Sequence, residues 1–135
     1  MSFPSLDDIE TPAALVDEER LERNLAKASV YMREHGLRWR PHTKTHKVPE
    51  LAARQLQAGA VGVTVATPRE AEVMGAVVDD VLLAYSPVGA SKLARLMALP
   101  GHVRLSVGLD SREVLAGLAE AARGVGRTPT ASAPR

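Results

Sequence analysis

The chain has 135 residues, of which 45% are hydrophobic and 24% are charged, a composition typical of one soluble globular domain. Its 17 Lys and Arg residues nearly balance its 16 Asp and Glu residues, so it has no long-range field that would attract nucleic acid or a lipid surface. Because cysteine is absent, disulfide bonds and cysteine-ligated metals are excluded.

The amino terminus lacks the features of a secretory signal. The first fifteen residues contain Asp7, Asp8 and Glu10 and no basic residue, whereas a signal peptide begins with positive charge. No apolar run approaches the ~20 residues that a membrane-spanning helix needs. We therefore expect a cytoplasmic protein that has neither a membrane nor a nucleic acid as its partner.

Five short apolar runs alternate with segments whose apolar residues recur at helical spacing. The runs span residues 13–16, 37–39, 61–65, 81–84 and 103–107. In the first helical segment the residues that share one face are Leu21, Leu25, Ala28 and Met32. The pattern predicts five strands, with a helix in each gap between them.

Polar residues mark the places where helices should begin. Asp17 is placed to cap the first helix. Thr67, Pro68 and Glu70 form a capping-box pattern with proline at the first helical position, and Asp110 is placed to cap a later helix. Glycines follow three helical stretches, where a left-handed residue is expected: Gly36, Gly59 and Gly101.

The repeated order of strand, capped helix, glycine and strand is typical of right-handed βαβ units around a parallel sheet. A doubly wound open sheet and a (β/α)8 barrel both satisfy this order. The first strand-to-helix junctions carry no G-x-G-x-x-G or G-x-x-x-x-G-K-[ST] motif, which favours the barrel. A complete barrel needs about 250 residues, so we expect an α/β fold that is about the first half of a (β/α)8 barrel.

The end of the chain differs from the rest. Residues 124–135 read G-V-G-R-T-P-T-A-S-A-P-R, which is small, polar and proline-bearing and has no strand pattern. Such composition is typical of a disordered tail. We therefore predict that residues 1–123 form the barrel part and that residues 124–135 lie outside it.

The most unusual segment is residues 37–49, which read L-R-W-R-P-H-T-K-T-H-K-V-P. Six of the ten residues from 38 to 47 are basic or carry an imidazole: Arg38, Arg40, His42, Lys44, His46 and Lys47. A strand would place the first five of them on one face.

Several interpretations of this segment compete. It could be a solvated basic edge, or a phosphate or nucleic-acid patch, although nothing else in the chain is basic enough to support the latter. A metal site is excluded if the segment is a strand, because His42 and His46 would lie roughly 13 Å apart. One zinc ion, with ligands at about 2 Å, cannot span that distance.

The catalytic interpretation singles out Lys44. At the carboxyl end of a barrel strand its side chain would face the usual active-site mouth, with His42 about 6.5 Å behind it on the same face. Neighbouring positive charge and partial burial would favour the neutral amine that Schiff-base chemistry requires. Lys47 is the rival, but a strand would direct it to the opposite face.

These residues carry a resemblance to a known family. R-P-H-T-K-T-H-K, from Arg40 to Lys47, closely resembles the lysine segment of the D-threonine aldolase and D-serine dehydratase family, whose members use pyridoxal phosphate (PLP). T-P-A-A-L-V-D-E-E-R-L-E-R-N-L is similar to the family's first strand and helix. G-A-V-G-V-T-V-A-T-P-R-E-A-E-V-M, which comes after the lysine segment, is similar to the family's next strand and helix. The resemblance covers about residues 10–123 and implies a PLP-binding barrel of the alanine racemase N-terminal type.

The resemblance also implies a function. Lys44 would form the Schiff base with PLP, and His42 would support it or serve as a hydrogen-bonded core histidine. The reaction would be that of a lyase, an aldolase or a dehydratase, acting on a small D-amino acid with a β-hydroxyl. Full-length members would also use a divalent metal whose ligands lie outside this chain, and would form a homodimer.

Other functions remain open at this point. A PLP-dependent amino-acid racemase has the same fold, although Thr45-His46-Lys47 lacks the tyrosine that alanine racemases use near the cofactor phosphate. The chain could also be a catalytically inactive fragment or a PLP-binding module. The other residues that could reach a cofactor from strand ends are of types that are more often structural: Thr43, Thr45, Thr67 and Tyr85.

Overall fold

A computed structural model describes residues 5–132 of the chain. Its helices are α1 (Glu18–Glu34), α2 (Pro49–Gln57), α3 (Pro68–Met74), α4 (Ala90–Met97) and α5 (Arg112–Val125). Its strands are β1 (Val63–Val65), β2 (Asp80–Leu83), β3 (Arg104–Gly108) and β4 (Thr130–Ser132), and short 3-10 helices span Leu6–Asp8 and Thr43–Thr45. None of the helices in this described part is both long and apolar enough to cross a membrane.

The four strands form one parallel sheet in the order β1-β2-β3-β4. One helix connects each strand to the next, so the chain from β1 to β4 is a series of three βαβ units. The predicted strands at 61–65, 81–84 and 103–107 correspond to β1, β2 and β3. The prediction of an α/β fold with a parallel sheet is confirmed.

The other two predicted strands are absent. Residues 37–39 lie beside β1, where the Val61 N–H donates to the Trp39 carbonyl and the Thr64 N–H donates to the Pro41 carbonyl. Because Pro41 has no N–H, this contact does not extend into a regular ladder. Residues 13–16 are exposed and pair with no strand among residues 5–132, so their apolar pattern lacks the backbone partner that a strand requires.

The prediction of a tail without a strand is wrong for residues 124–132. Helix α5 continues to Val125 and ends at Gly126, which has a left-handed φ of 68°. Strand β4 then pairs with β3 in parallel, and the Arg127 guanidinium donates to the Val103 carbonyl at 2.6 Å. Backbone pairing holds this short, exposed strand, so no apolar pattern marks it; residues 133–135 lie outside the described part.

Two of the predicted helix caps are confirmed and one is wrong. The side chains of Asp17 and Thr67 accept hydrogen bonds from backbone N–H groups of the first turns of α1 and α3. At α5 the cap is Ser111, whose hydroxyl accepts from the Val114 N–H, because the helix begins one residue later than Asp110 would place it. Gly36 and Gly59 have the predicted positive φ, and Gly101 does not.

The hydrophobic core lies between one face of the sheet and the helices that cover it. The sheet contributes Val63, Val65, Val81, Leu83, Leu105 and Val107, and the helices contribute Ala71, Met74, Leu96 and Leu118. On β2 and β3 these buried residues alternate with residues that point to the opposite face. Leu82 and Ser106 are two of them, and both are half-buried. The sheet is therefore covered on one face within the described chain.

We predict that Gly62, just before β1, cannot be replaced without loss of stability. Its φ is 155°, and an added Cβ would overlap the Arg40 guanidinium and the Asp80 carbonyl. We expect Gly62→Ala to lower the free energy of unfolding in urea by about 1–3 kcal/mol. Gly101→Ala is the control, because an added Cβ there meets no atom within 4 Å; equal losses in the two variants would contradict the prediction.

Candidate functional site

Residues 42–47, which we name the lysine turn, lie beside the carboxyl end of β1. His42 forms an isolated parallel bridge with Thr64, and Thr43–Thr45 then form one turn of 3-10 helix. The segment is therefore not the strand that the alternating pattern predicted. The inference that the basic residues from Arg38 to His46 share one face is wrong, because the backbone turns at Thr43.

One buried hydroxyl anchors the lysine turn to the sheet. Thr43 is fully buried, with 0% of its surface exposed. Its Oγ1 donates to the carbonyl oxygen of Thr64 in β1, at 3.2 Å. This bond joins residues that are 21 positions apart and fixes the backbone immediately before Lys44.

Two histidines flank Lys44 and accept hydrogen bonds from the backbone. Nδ1 of His42 accepts from the Lys44 N–H at 3.2 Å, and Nδ1 of His46 accepts from the Val48 N–H at 3.1 Å. Each imidazole thus binds the N–H of the residue two positions later in the chain and stabilises the backbone there. The structure places His42 as a backbone acceptor in the turn, rather than in line behind Lys44 on a strand.

The strand-based argument against a metal at the two histidines no longer applies, because the segment is a turn. Within residues 5–132 there is no group of three or more His, Asp or Glu side chains that could hold a metal ion. Nε2 of His46 is buried and has no hydrogen-bond partner among the described residues. Both Nδ1 atoms are engaged by backbone N–H groups.

The two lysines of the turn have different surroundings. Lys44 is exposed, which corrects the expectation that it is partly buried, and it forms no ion pair with any residue between 5 and 132. The Lys47 ammonium lies 3.4 Å from Oε1 of Glu70. The geometry therefore leaves the Lys44 amine accessible and engages the Lys47 amine.

Glu70 is a residue whose part in the site was missed from the sequence. Only 7% of its surface is exposed, and its Oε2 accepts a hydrogen bond from the Ala66 N–H at 2.8 Å. The capping-box pattern predicted that it would bind the Thr67 N–H instead. The carboxylate lies one residue further back, at the carboxyl end of β1, where it reaches Lys47.

Lys47 has a backbone conformation that L-residues rarely adopt. Its φ is +55°, and it is the one non-glycine residue with positive φ in the described part of the chain. Such a conformation costs about 1–2 kcal/mol. The Lys47 N–H donates to the Thr43 carbonyl at 2.8 Å, so the strained residue closes the turn that carries Lys44.

The surroundings of His42 favour its neutral form. Burial, followed by the positive charge of Lys44, lowers the pKa of His42 below its ordinary value of 6.5. The Glu70 carboxylate acts in the opposite direction. A neutral imidazole keeps Nδ1 available as an acceptor for the Lys44 N–H.

The remaining candidate residues have structural surroundings. Thr67 caps α3 through its hydroxyl, Thr45 is exposed, and Tyr85 is 70% exposed. Arg40 forms a 2.6 Å ion pair with Asp80, at the amino end of β2. The structure therefore separates Arg40 from the lysine turn, although the two are adjacent in sequence.

A cavity of about 430 Å³ lies at the carboxyl ends of β1 and β2, between the first turns of α3 and α4. Its lining includes the hydroxyl-bearing residues Thr67, Tyr85 and Ser86 and the basic residues Arg69, Lys92 and Arg95. Both arginines bind Glu72, and the hydrogen bond from Arg95 lowers the pKa of Glu72 to about 2. The cavity borders on Ala66, whose N–H binds Glu70.

The first prediction for the site concerns the charge that acts on His42. Lys44→Met removes a positive charge that lowers the pKa of His42, so we expect that pKa to rise. An NMR titration of the imidazole signals measures the change, with Lys92→Met on α4 as the control. A His42 pKa that is the same in the folded Lys44→Met variant would contradict the assignment.

The lowered pKa of His42 also predicts a loss of stability in acid. Because folding favours the neutral imidazole, its contribution is present above the unfolded pKa of about 6.5 and is lost as pH falls through the folded pKa. We expect the free energy of unfolding to fall less over this interval in His42→Gln, which does not titrate. Parallel urea titrations of the two chains on both sides of that interval test this.

A further prediction concerns the anchor of the turn. Thr43→Val keeps the shape of the side chain but removes the buried hydrogen bond to Thr64, so it should cost about 1–2 kcal/mol of unfolding free energy. Thr45→Val is the matched control, because its side chain is exposed and we expect a change within about 0.5 kcal/mol. Equal effects in urea denaturation would show that the Thr43 hydroxyl is not an anchor.

The chain is similar to proteins of known activity. The sequence profile of the family described as "Alanine racemase, N-terminal domain" matches residues 16–131. The D-threo-3-hydroxyaspartate dehydratase of Delftia sp. (strain HT23) is 46% identical over 79 residues, which are 58% of this chain and 21% of that protein.

Solved structures show the same fold. The crystal structure of D-threonine aldolase from Filomicrobium marinum superposes with a TM-score of 0.90 at 36% identity, and covers 95% of this chain and 35% of that one. A D-threo-3-hydroxyaspartate dehydratase variant in its metal-free form gives 0.83 at 33% identity, over 97% and 35% of the two chains.

The chain thus spans about a fifth to a third of these relatives, as expected for part of a barrel. The match of the family profile reaches residue 131, beyond the predicted boundary at 123. The resemblance inferred from residues 40–47 and the partial-barrel fold are confirmed, and the chain belongs to the alanine racemase N-terminal domain family.

Proposed function

We propose that the lysine turn is the cofactor-holding part of a PLP-dependent lyase acting on D-3-hydroxy amino acids. One observation carries the proposal: the accessible amine of Lys44 lies on an anchored turn at the carboxyl end of a parallel sheet. That end of a (β/α)8 barrel is where active sites lie. Two similar proteins are named D-threonine aldolase and D-threo-3-hydroxyaspartate dehydratase. Both names denote lyases of such substrates.

The residues present are suited to PLP. A lysine that holds the cofactor must have an amine that is accessible and free of a strong anionic partner. Lys44 meets both requirements among the described residues, whereas Lys47 is engaged by Glu70. When bound at this position, PLP would supply an electron sink for negative charge at the substrate Cα.

Lys44 would have two tasks in such an enzyme. Its Nζ would hold the cofactor between turnovers. In a dehydratase, once substrate has released it, the same atom would be a candidate base for the Cα proton. In an aldolase the proton to be removed would instead be that of the substrate hydroxyl.

His42 would orient Lys44 rather than react. Its Nδ1 holds the Lys44 N–H, so the side chain of Lys44 starts from a fixed backbone. The lowered pKa of His42 keeps this acceptor available near neutral pH. We propose His42 as a positioning residue, which agrees with the supporting role that the resemblance implied.

The remaining parts of the activity belong to the longer relatives. One relative was solved in a form described as metal-free, which indicates that this relative also has a metal-bound form. We propose that a divalent metal would be held outside this chain and would act on the substrate hydroxyl. The choice between aldolase and dehydratase would then depend on residues beyond this chain. The cytoplasmic location and the homodimer stay predictions.

The experiment that tests the proposal is borohydride reduction of the purified chain with PLP, followed by peptide mapping. Reduction fixes the cofactor irreversibly to the lysine that holds it. We expect the label to favour Lys44 over Lys92, an exposed lysine of α4, by about tenfold, because only Lys44 lies on an anchored turn. The label should disappear from this position in Lys44→Ala.

The control variant is Lys92→Ala, which should leave the labelling of Lys44 unchanged. Circular dichroism of each variant shows whether the chain is folded under the labelling conditions. Label distributed evenly over Lys27, Lys44 and Lys92 in a folded chain would refute the proposal. Such a result would mean that residues 5–132 hold no preferred lysine for PLP.

A further inference from the structure

We infer that Glu70 is the residue that selects Lys44 over Lys47 as the lysine for the cofactor. This inference rests on the proposed function, because it assumes that a lysine of the turn holds PLP. The two amines are three residues apart, and both are exposed at the same end of the sheet. If only one of the two amines holds PLP, a neighbouring group must make their reactivities differ.

The Glu70 carboxylate is held close to the lysine turn. The Glu70 side chain is 9% exposed, so its charge lies in an environment that requires compensation. One oxygen accepts the Ala66 N–H at 2.8 Å, which fixes the group to the end of β1. The other oxygen faces the lysine turn, where the Lys47 ammonium lies 3.4 Å away.

Glu70 acts directly on the amine of Lys47. The ion pair holds the Lys47 amine against the Glu70 carboxylate, so this amine must leave its partner before it can attack a carbonyl. Lys47 is 64% exposed on its side chain, so water screens the pair and the effect is moderate. Glu70 therefore lowers the reactivity of Lys47 and leaves that of Lys44 unopposed.

Glu70 also contributes to the backbone conformation of the lysine turn. Lys47 adopts a positive φ of 55°, and its N–H closes the turn on the Thr43 carbonyl. The ion pair with Glu70 holds the side chain of this strained residue against α3. The same contact that engages the Lys47 amine therefore also stabilises the turn that presents Lys44.

The field of Glu70 reaches the other flank of the turn as well. It raises the pKa of His42, which burial and Lys44 lower. Glu70 therefore acts on both flanks of Lys44, on His42 through its charge and on Lys47 through an ion pair. Removing its charge should lower the pKa of His42 and release the Lys47 amine from its ion pair, even in the absence of any cofactor.

The test uses Glu70→Gln, which keeps an oxygen acceptor for the Ala66 N–H but removes the charge. In borohydride labelling with PLP, we expect the ratio of label on Lys44 to label on Lys47 to fall about threefold, as suits a partly screened ion pair. Glu72→Gln is the matched control, because this carboxylate lies on the same helix but binds Arg69 and Arg95. It should leave the ratio unchanged.

A second measurement needs no cofactor. The pKa of His42, followed by NMR, should fall in Glu70→Gln and stay the same in Glu72→Gln. A folded Glu70→Gln chain with an unchanged labelling ratio would overturn the selection of Lys44 by Glu70. So would an unchanged His42 pKa, because the carboxylate would then not act on the turn.

The outcomes separate this inference from the proposed function. If the unmodified chain shows no preference for Lys44 over Lys92, the proposed PLP site fails, and with it the selection of a lysine by Glu70. If Lys44 is preferred over Lys92 but the Lys44 to Lys47 ratio is the same in both Glu variants, the PLP site stands. In that case the role of Glu70 alone is refuted.

Discussion

The hydrogen bond from the buried Thr43 hydroxyl to the Thr64 carbonyl is the contact on which the arrangement of the site depends. It joins the lysine turn to β1, and the turn has no regular strand of its own through which to join the sheet. The parallel bridge between His42 and Thr64 lies next to it. Together these contacts place Lys44 at the end of the sheet where parallel strands finish, which is where the chemistry of this fold takes place.

The basic segment is divided by the fold into groups with different partners. Arg40 binds Asp80 at the amino end of β2, and Lys47 binds Glu70 at the carboxyl end of β1. The two histidines of the turn accept backbone N–H groups. Of the six basic or imidazole residues in this run, four thus have partners within the fold, whereas the exposed side chains of Arg38 and Lys44 form no ion pair with any residue between 5 and 132.

The sequence predicts the features that local interactions determine and misses those that depend on residues far apart in the chain. The alternation of β1 to α5 was predictable, because local periodicity and caps such as Asp17 and Thr67 determine it. The expectation that residues 38–46 form a strand is wrong because Pro41 interrupts the ladder and the Thr43 hydroxyl binds a residue 21 positions away. Strand β4 was missed because its side chains are exposed and backbone pairing alone defines it.

Glu70 shows the same limit at the level of the site. In sequence it reads as the acidic residue of a capping box, which binds the backbone N–H of the N-cap residue. The fold displaces that carboxylate to the Ala66 N–H, and only then does it meet a lysine from a segment 23 positions earlier in the chain. The choice between Lys44 and Lys47 was argued from a strand that does not exist. The structure supplies a different argument for the same lysine, since an ion pair engages one amine and leaves the other accessible.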